Sequence, residues 1–226
     1  MKCTQATIKC FFDLSDAISH EIRHGNCSAI SLIKVYKIMI QFKIGVAFHR
    51  LGLYYLTGIL DGISIAGIAP KSCRIRVVSA LKYLKRAYAL GVKESAHDIA
   101  WSFFQKCYDL KVKRQSNVPR YLLKQLRIWV KRALVYEHGR RKANMYHYLA
   151  WIEYHYGNLS DAISFWKKAA RNGGGEAMLE LAILYGYGEG VRKNLRLACY
   201  YFTKCSIIDP RLRENVDKEM GELGLK

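Results

Sequence analysis

The chain has 226 residues, 51% of them hydrophobic, and only three prolines. That composition suits one domain or one repeat array and excludes a long disordered region. The formal net charge of +19 draws acidic proteins, nucleic acid or anionic lipid toward the surface, but it says nothing about fold.

In chain order, Met1-Lys2-Cys3 leads into a mixed stretch with Asp13 and Asp16. No signal-peptide pattern of basic start, apolar run and small-residue cleavage site is legible there. Leu14-Ser15-Asp16-Ala17-Ile18-Ser19 recurs, letter for letter, at Leu159 to Ser164. Such an identity points to internal repetition, and repetition implies stacked helical units that present a surface. Asp13 with Asp16, and Asn158 with Asp161, have the spacing of a polar helix cap and an acidic third residue.

Directly after the first copy stands His20-Glu21-Ile22-Arg23-His24. Two histidines four apart on a helix can bind one zinc, with the glutamate as general base. A zinc-dependent hydrolase is therefore one reading. Against it, Arg23 puts a cation between the two ligands and Gly25-Asn26 ends the helix. A third ligand is also lacking, since Asp61 sits in an insertion and His49 within the next helix. The plainer reading is an exposed polar helix end.

The most apolar region, Ala29 to Phe48, is interrupted by Lys34, Lys37 and Lys43, so it falls short of a membrane span. From Ala47 the chain reads Ala47-x-x-x-Leu51-Gly52-x-x-Tyr55-x-x-Gly58, a helix and its stop. An apolar, glycine-rich insertion, Ile59 to Pro70, follows. It reads either as a packed connector or as part of a binding face. The return helix is Ala80-Leu81-x-x-Leu84-Lys85-Arg86-Ala87, ending before Gly91.

The basic charge concentrates next. Between Lys106 and Lys142 stand twelve basic residues and two acidic ones, Asp109 and Glu137. Within Pro119–His138, Leu122, Leu126, Trp129, Ala133 and Tyr136 make an apolar face. Arg120, Lys124, Arg127 and Lys131 make a basic stripe beside it. This stripe, with Trp129 as an aromatic anchor, is the candidate partner-binding site. It would meet carboxylates or phosphates but carries no sequence code. No zinc-finger, RNA-recognition or helix-turn-helix signature supports specific nucleic-acid reading.

The C-terminal third is the most regular. A helix is expected from Lys142 to about Tyr156, and a return helix through Trp166-Lys167-Lys168-Ala169-Ala170 ends before Gly173. Then comes Ala177-x-x-x-Leu181-Ala182-x-x-Tyr185-x-x-Gly188-x-Gly190-Val191, followed by Ala198-x-x-x-Phe202-x-Lys204-Cys205. Gly188 and Gly190 fit a tight turn that needs small or positive-φ residues. Asp209-Pro210 reads as the cap and first residue of a final charged helix, Pro210 to about Met220. Seven cysteines, an odd number with no Cys-x-x-Cys pair, read as reduced thiols in a cytoplasmic protein.

At these residues the chain resembles the Sel1-like repeat family, relatives of the tetratricopeptide repeats. Ala177 to Cys205 carries most of the family pattern of alanine, Leu-Gly and Tyr, Gly-x-Gly-Val, then alanine, an aromatic and Lys-Ala-Ala. The resemblance implies an all-α, right-handed superhelical solenoid of antiparallel helix pairs. The expected divisions are a degenerate unit at 1–43, a repeat at 44–93 with its insertion at 59–75, and a degenerate basic unit at 94–141. A tetratricopeptide-like unit at 142–174, the best Sel1-like unit at 175–208 and a cap at 209–226 complete the array. The resemblance also implies a non-catalytic adaptor without cofactors, holding a protein segment in its groove. The charge points to an acidic partner. An immunity or antitoxin-like inhibitor is a specific version of that reading, and non-specific nucleic-acid binding is an alternative that rests on charge alone.

Overall fold

The computed structural model describes residues 4–24, 29–57, 59–60, 63–64, 73–113 and 117–225. By its contacts the chain divides into two compact units, Met1–Gln105 and Lys106–Lys226. The fold is an all-α helical repeat, apart from one very short antiparallel ladder.

The first unit opens with α1 (Gln5–Arg23), α2 (Ala29–Gln41) and α3 (Gly45–Thr57). The apolar run of the sequence is thus cut into two helices, and no helix among the described residues is long and apolar enough to cross a membrane. Leu32, Tyr36, Met39, Leu51 and Tyr54 form the core, covered by Ile8, Phe11, Phe12 and Ile18 of α1. Strands β1 (Ile59–Leu60) and β2 (Ile63–Ser64) pair antiparallel. The remainder of the Ile59 to Pro70 insertion, with Gly58, lies outside the described residues. Helix α4 (Cys73–Ala89) returns along α3, and α5 (Ser95–Tyr108) follows.

Helix α1 departs from two expectations. Its cap is Thr4, whose hydroxyl accepts the Thr7 amide at 3.2 Å, and Asp13 and Asp16 lie in mid-helix. No glycine or proline between Gln5 and Arg23 interrupts the helix, so Asp13 has no free amides to cap. In the later copy Gly157, at φ +81°, stops the preceding helix, and Leu159 then begins a new one. The two copies of the hexapeptide also bury different faces. Ser15 and Ser19 are buried in the first, Ala162 and Ile163 in the second. Identical letters stand at non-equivalent places, because the helix start, set by the preceding residues, fixes which face turns inward.

The second unit is the regular one. After a π-helical turn at Asp109–Lys113 come α6 (Arg120–Leu134), α7 (Gly139–His155), α8 (Leu159–Arg171), α9 (Gly175–Tyr187), α10 (Leu195–Ile208) and α11 (Arg213–Glu222). Each of these helices packs on the next, α7 with α8 and α9 with α10 most extensively. Trp166, Leu181, Phe202, Cys205 and Val216 belong to one continuous core.

The turn after α9 shows why this repeat needs its glycines. Gly188 sits at φ +80°, and its amide donates to the Leu184 carbonyl at 2.8 Å. Gly190 is also left-handed, at φ +66°, and a Cβ there would fall 2.2 Å from Leu159 Cδ2. Asn194 then caps α10, accepting the Leu197 amide at 3.0 Å.

The chain's last helix departs from expectation at its start. Pro210–Leu212 is a 3-10 turn, and α11 begins only at Arg213. Asp209 does not cap with its side chain. It is 3% exposed and takes hydrogen bonds from Arg140 at 2.5 Å and from Arg211 at 2.7 and 2.8 Å. The Arg211 hydrogen bond is the main reason its carboxyl is held down to about 2.

Candidate partner-binding surface

Helix α6 is strongly amphipathic. Leu122, Leu123, Leu126, Trp129, Val130 and Ala133 are buried, so the opposite face must meet solvent. Arg120, Lys124 and Lys131 stand on that outer face, exposed, and make no ion pair among the described residues. These three are free to meet an anionic partner.

The other two candidates sit differently. Arg127 is half-buried, and its Nη2 donates to Glu153 Oε1 at 2.7 Å. The second oxygen of Glu153 accepts from Asn158 at 2.9 Å, so the nearly buried carboxylate is fully engaged. Arg127 therefore ties α6 to α7. Trp129 is only 6% exposed, and the Arg132 guanidinium lies 4.5 Å from its ring centre. It packs inward and offers a partner little surface, because a helix with one apolar face must bury its largest ring there. Tyr136, expected on the same apolar face, lies beyond the end of α6 and is 48% exposed.

This division has a measurable consequence. Arg127→Ala leaves a nearly buried carboxylate without its cation and should lower stability by about 2 kcal/mol. Lys124→Ala and Lys131→Ala should each change it by less than about 0.5 kcal/mol. Urea titration of the three variants checks the contrast, and equal effects would mean that Arg127 is as free as the lysines.

The residues of the zinc reading are exposed at the end of α1. The rings of His20 and His24 lie 4.3 Å apart. His24 Nδ1 is 2.9 Å from the His20 carbonyl oxygen, and His20 Nδ1 is 3.3 Å from Glu21. His49 is engaged elsewhere, 2.8 Å from Asp98. Asp61 lies outside the described residues. Among the described residues no three His, Cys, Asp or Glu side chains form a group that could hold a metal.

Two features carried no signal in the sequence. In the first unit, Asp98 gathers His49 and His97. Desolvation pulls its carboxyl up, but the histidine hydrogen bonds outweigh that and hold it at about 2. In the second unit, carboxylates collect around α9 and α11. Tyr154 donates to Glu189 at 3.4 Å and Tyr187 to Glu222 at 3.1 Å. Glu180 lies among Glu176, Glu219 and Glu189. Burial first, then those like charges, push it up to about 7. A groove in the first unit is lined by Ile8, Phe12, Phe42, Ile44 and Val92 together with the polar Gln5 and Gln41 and, as its one charged residue among the described residues, Lys43.

Residues 77–92, 143–174 and 175–204 match the Sel1 repeat. The chain carries Sel1 repeats. The last matched stretch holds α9, the Gly188–Gly190 turn and most of α10, and the middle one holds most of α7 and all of α8. Among solved structures the chain is similar to a Sel1 repeat protein from Oxalobacter formigenes. That match has a TM-score of 0.60 and 16% identity, over 99% of this chain and 84% of the other. It is also similar to c5321, a protective antigen present in uropathogenic Escherichia coli strains that displays an SLR fold. There the TM-score is 0.51 with 18% identity, over 78% of this chain and 33% of the antigen. The chain thus spans about a third of that antigen's length, and at these identities the likeness is one of fold. Among curated proteins nothing matches. Sel1-repeat proteins are generally protein-interaction scaffolds and typically non-catalytic. In such an array the chemistry to look for is a surface rather than a reaction centre.

Proposed function

We propose that this protein is a non-catalytic adaptor that holds an acidic protein partner against the outer face of α6. The observation that carries the reading is the set of three exposed cations, Arg120, Lys124 and Lys131, on one face of a rigid helix without internal counter-charges among the described residues. Elsewhere in the same basic segment, Arg127, Arg140 and Arg141 are matched by Glu153, Asp209 and Glu137. A binding face differs from a merely basic helix in leaving its charges for someone else. Such charges steer encounter and select the partner more than they supply raw affinity. The buried thiols Cys107 and Cys205, pushed up by desolvation to about 12 and about 11, are inert and suit a reducing cytoplasm.

Affinity capture from native lysate at physiological salt, with nuclease treatment, tests this. The expected result is an acidic protein that survives both conditions and is lost, by at least about tenfold, with the Lys124→Glu, Lys131→Glu double variant. A single tight partner would point to an inhibitor of the immunity type, several weaker ones to a general adaptor. An eluate that vanishes with nuclease would assign the charge to nucleic acid instead. A partner indifferent to the double variant would move the site off α6.

A further inference from the structure

The exposed face of α6 carries more than charge. Tyr121, Ile128 and Val135 are 62%, 44% and 71% exposed, and they stand seven residues apart. Lys124 and Lys131 fall between them. The five residues follow the spacing i, i+3, i+7, i+10, i+14, and Val135 keeps helical backbone at φ −67°, ψ −30°. At 100° per residue these positions occupy an arc of about 80°. That is the spacing of the a and d positions of a two-stranded coiled coil, with the apolar residues at a and lysine at d. The buried set of Leu122, Leu126, Trp129, Val130 and Ala133 occupies the opposite side. Helix α6 therefore has a second, outward seam that stands exposed among the described residues.

We propose that this seam docks an amphipathic helix of the acidic partner, with apolar residues against Tyr121, Ile128 and Val135 and carboxylates against Lys124 and Lys131. The proposal rests on the reading of α6 as the binding face and names the form of its partner. Charge complementarity selects the occupant. Helix α6 contains no acid at all, and Arg120 and Arg132 flank the seam. A second copy laid on the same face would bring together two strongly basic helices with no acid on either. A bilayer would find only three apolar residues on this seam, too narrow a face to enter the acyl boundary. An acidic helix satisfies both halves of the pattern, and α6 at 15 residues is about 22 Å long, enough for some four turns of contact.

The test uses the full chain and a synthetic peptide of three heptads, with leucine at a and glutamate at d, e and g. A scrambled peptide of the same composition serves as its control. The heptad peptide is expected to bind about tenfold more tightly than the scrambled one at physiological salt. Ile128→Ser with Val135→Ser should remove that advantage and leave the scrambled peptide's affinity unchanged. Both residues are exposed, so unchanged circular dichroism should accompany the loss. Equal binding of the two peptides would overturn the helical docking while leaving an acidic partner in place. Binding that ignores Lys124→Glu, Lys131→Glu, or no binding of either peptide, would overturn the reading of α6 itself. So would capture of the chain by phosphatidylserine vesicles in place of the peptide. Self-association abolished by Ile128→Ser would assign the seam to a second copy.

Discussion

Phe202→Ala should destabilise the second unit by about 3–5 kcal/mol, the range for truncating a fully buried aromatic. Phe202 has no exposed surface and shares a core with Leu181, Ala198, Cys205 and Val216, drawn from α9, α10 and α11. Its neighbours Ala177, Ala182 and Ala198 are too small to collapse into the space left behind. Three of the chain's four tryptophans, Trp129, Trp151 and Trp166, lie in this unit, so their fluorescence during urea unfolding reports on it directly. Ile207→Ala, on the same helix but 69% exposed, should stay within about 0.5 kcal/mol. A loss under about 1 kcal/mol for Phe202→Ala would mean that α10 does not close the core.

Glu180→Gln should act in the opposite direction, and only at higher pH. The Glu180 carboxyl is pushed up to about 7 in the folded chain, against 4.5 ordinarily. Between those values the native state keeps a proton that the unfolded state has lost, so stability falls as pH rises from about 4.5 to 7. The amide removes the titration. It should leave stability at pH 4 unchanged and raise it at pH 8, by at most about 3 kcal/mol. Asp98 and Asp209 slope the other way, because their carboxyls are held at about 2 and their contribution disappears as pH falls below about 4. The two windows do not overlap, so a stability profile from pH 3 to 8 separates them. An unchanged slope between pH 4.5 and 7 in Glu180→Gln would show that Glu180 is not the group that titrates there.

The helices of the second unit were legible because their spacing and their stops agree. Alanines and large apolar residues recur at helical intervals, and Gly173, Gly188 and Gly190 take the left-handed backbone that ends or turns a helix. The repeated hexapeptide was the least reliable guide, since a short identity carries no record of where its helix begins. Within α6, the stripe of Arg120, Lys124, Arg127 and Lys131 was legible, but its division was not. Glu153 claims Arg127 from 26 residues away, and no local pattern announces such a pair. The outward row of Tyr121, Ile128 and Val135 lay in plain spacing yet was hidden by the stronger inward face. For the acidic cluster around Glu180, the carboxylates come from α9, the turn after it and α11, so only the packing of α11 brings them together.

On the proposed reading, α6 presents Lys124 and Lys131 to carboxylates of a partner protein. Zero-length carbodiimide coupling of the captured complex, followed by peptide sequencing, tests it most directly, because it joins an amine to a carboxylate only when the two touch. Links from Lys124 and Lys131 to aspartates or glutamates of the partner are expected. Links from the chain's own Glu176, Glu189, Glu219 or Glu222 to partner lysines, with Lys124 and Lys131 unmodified, would contradict it and move the binding face to α9 and α11.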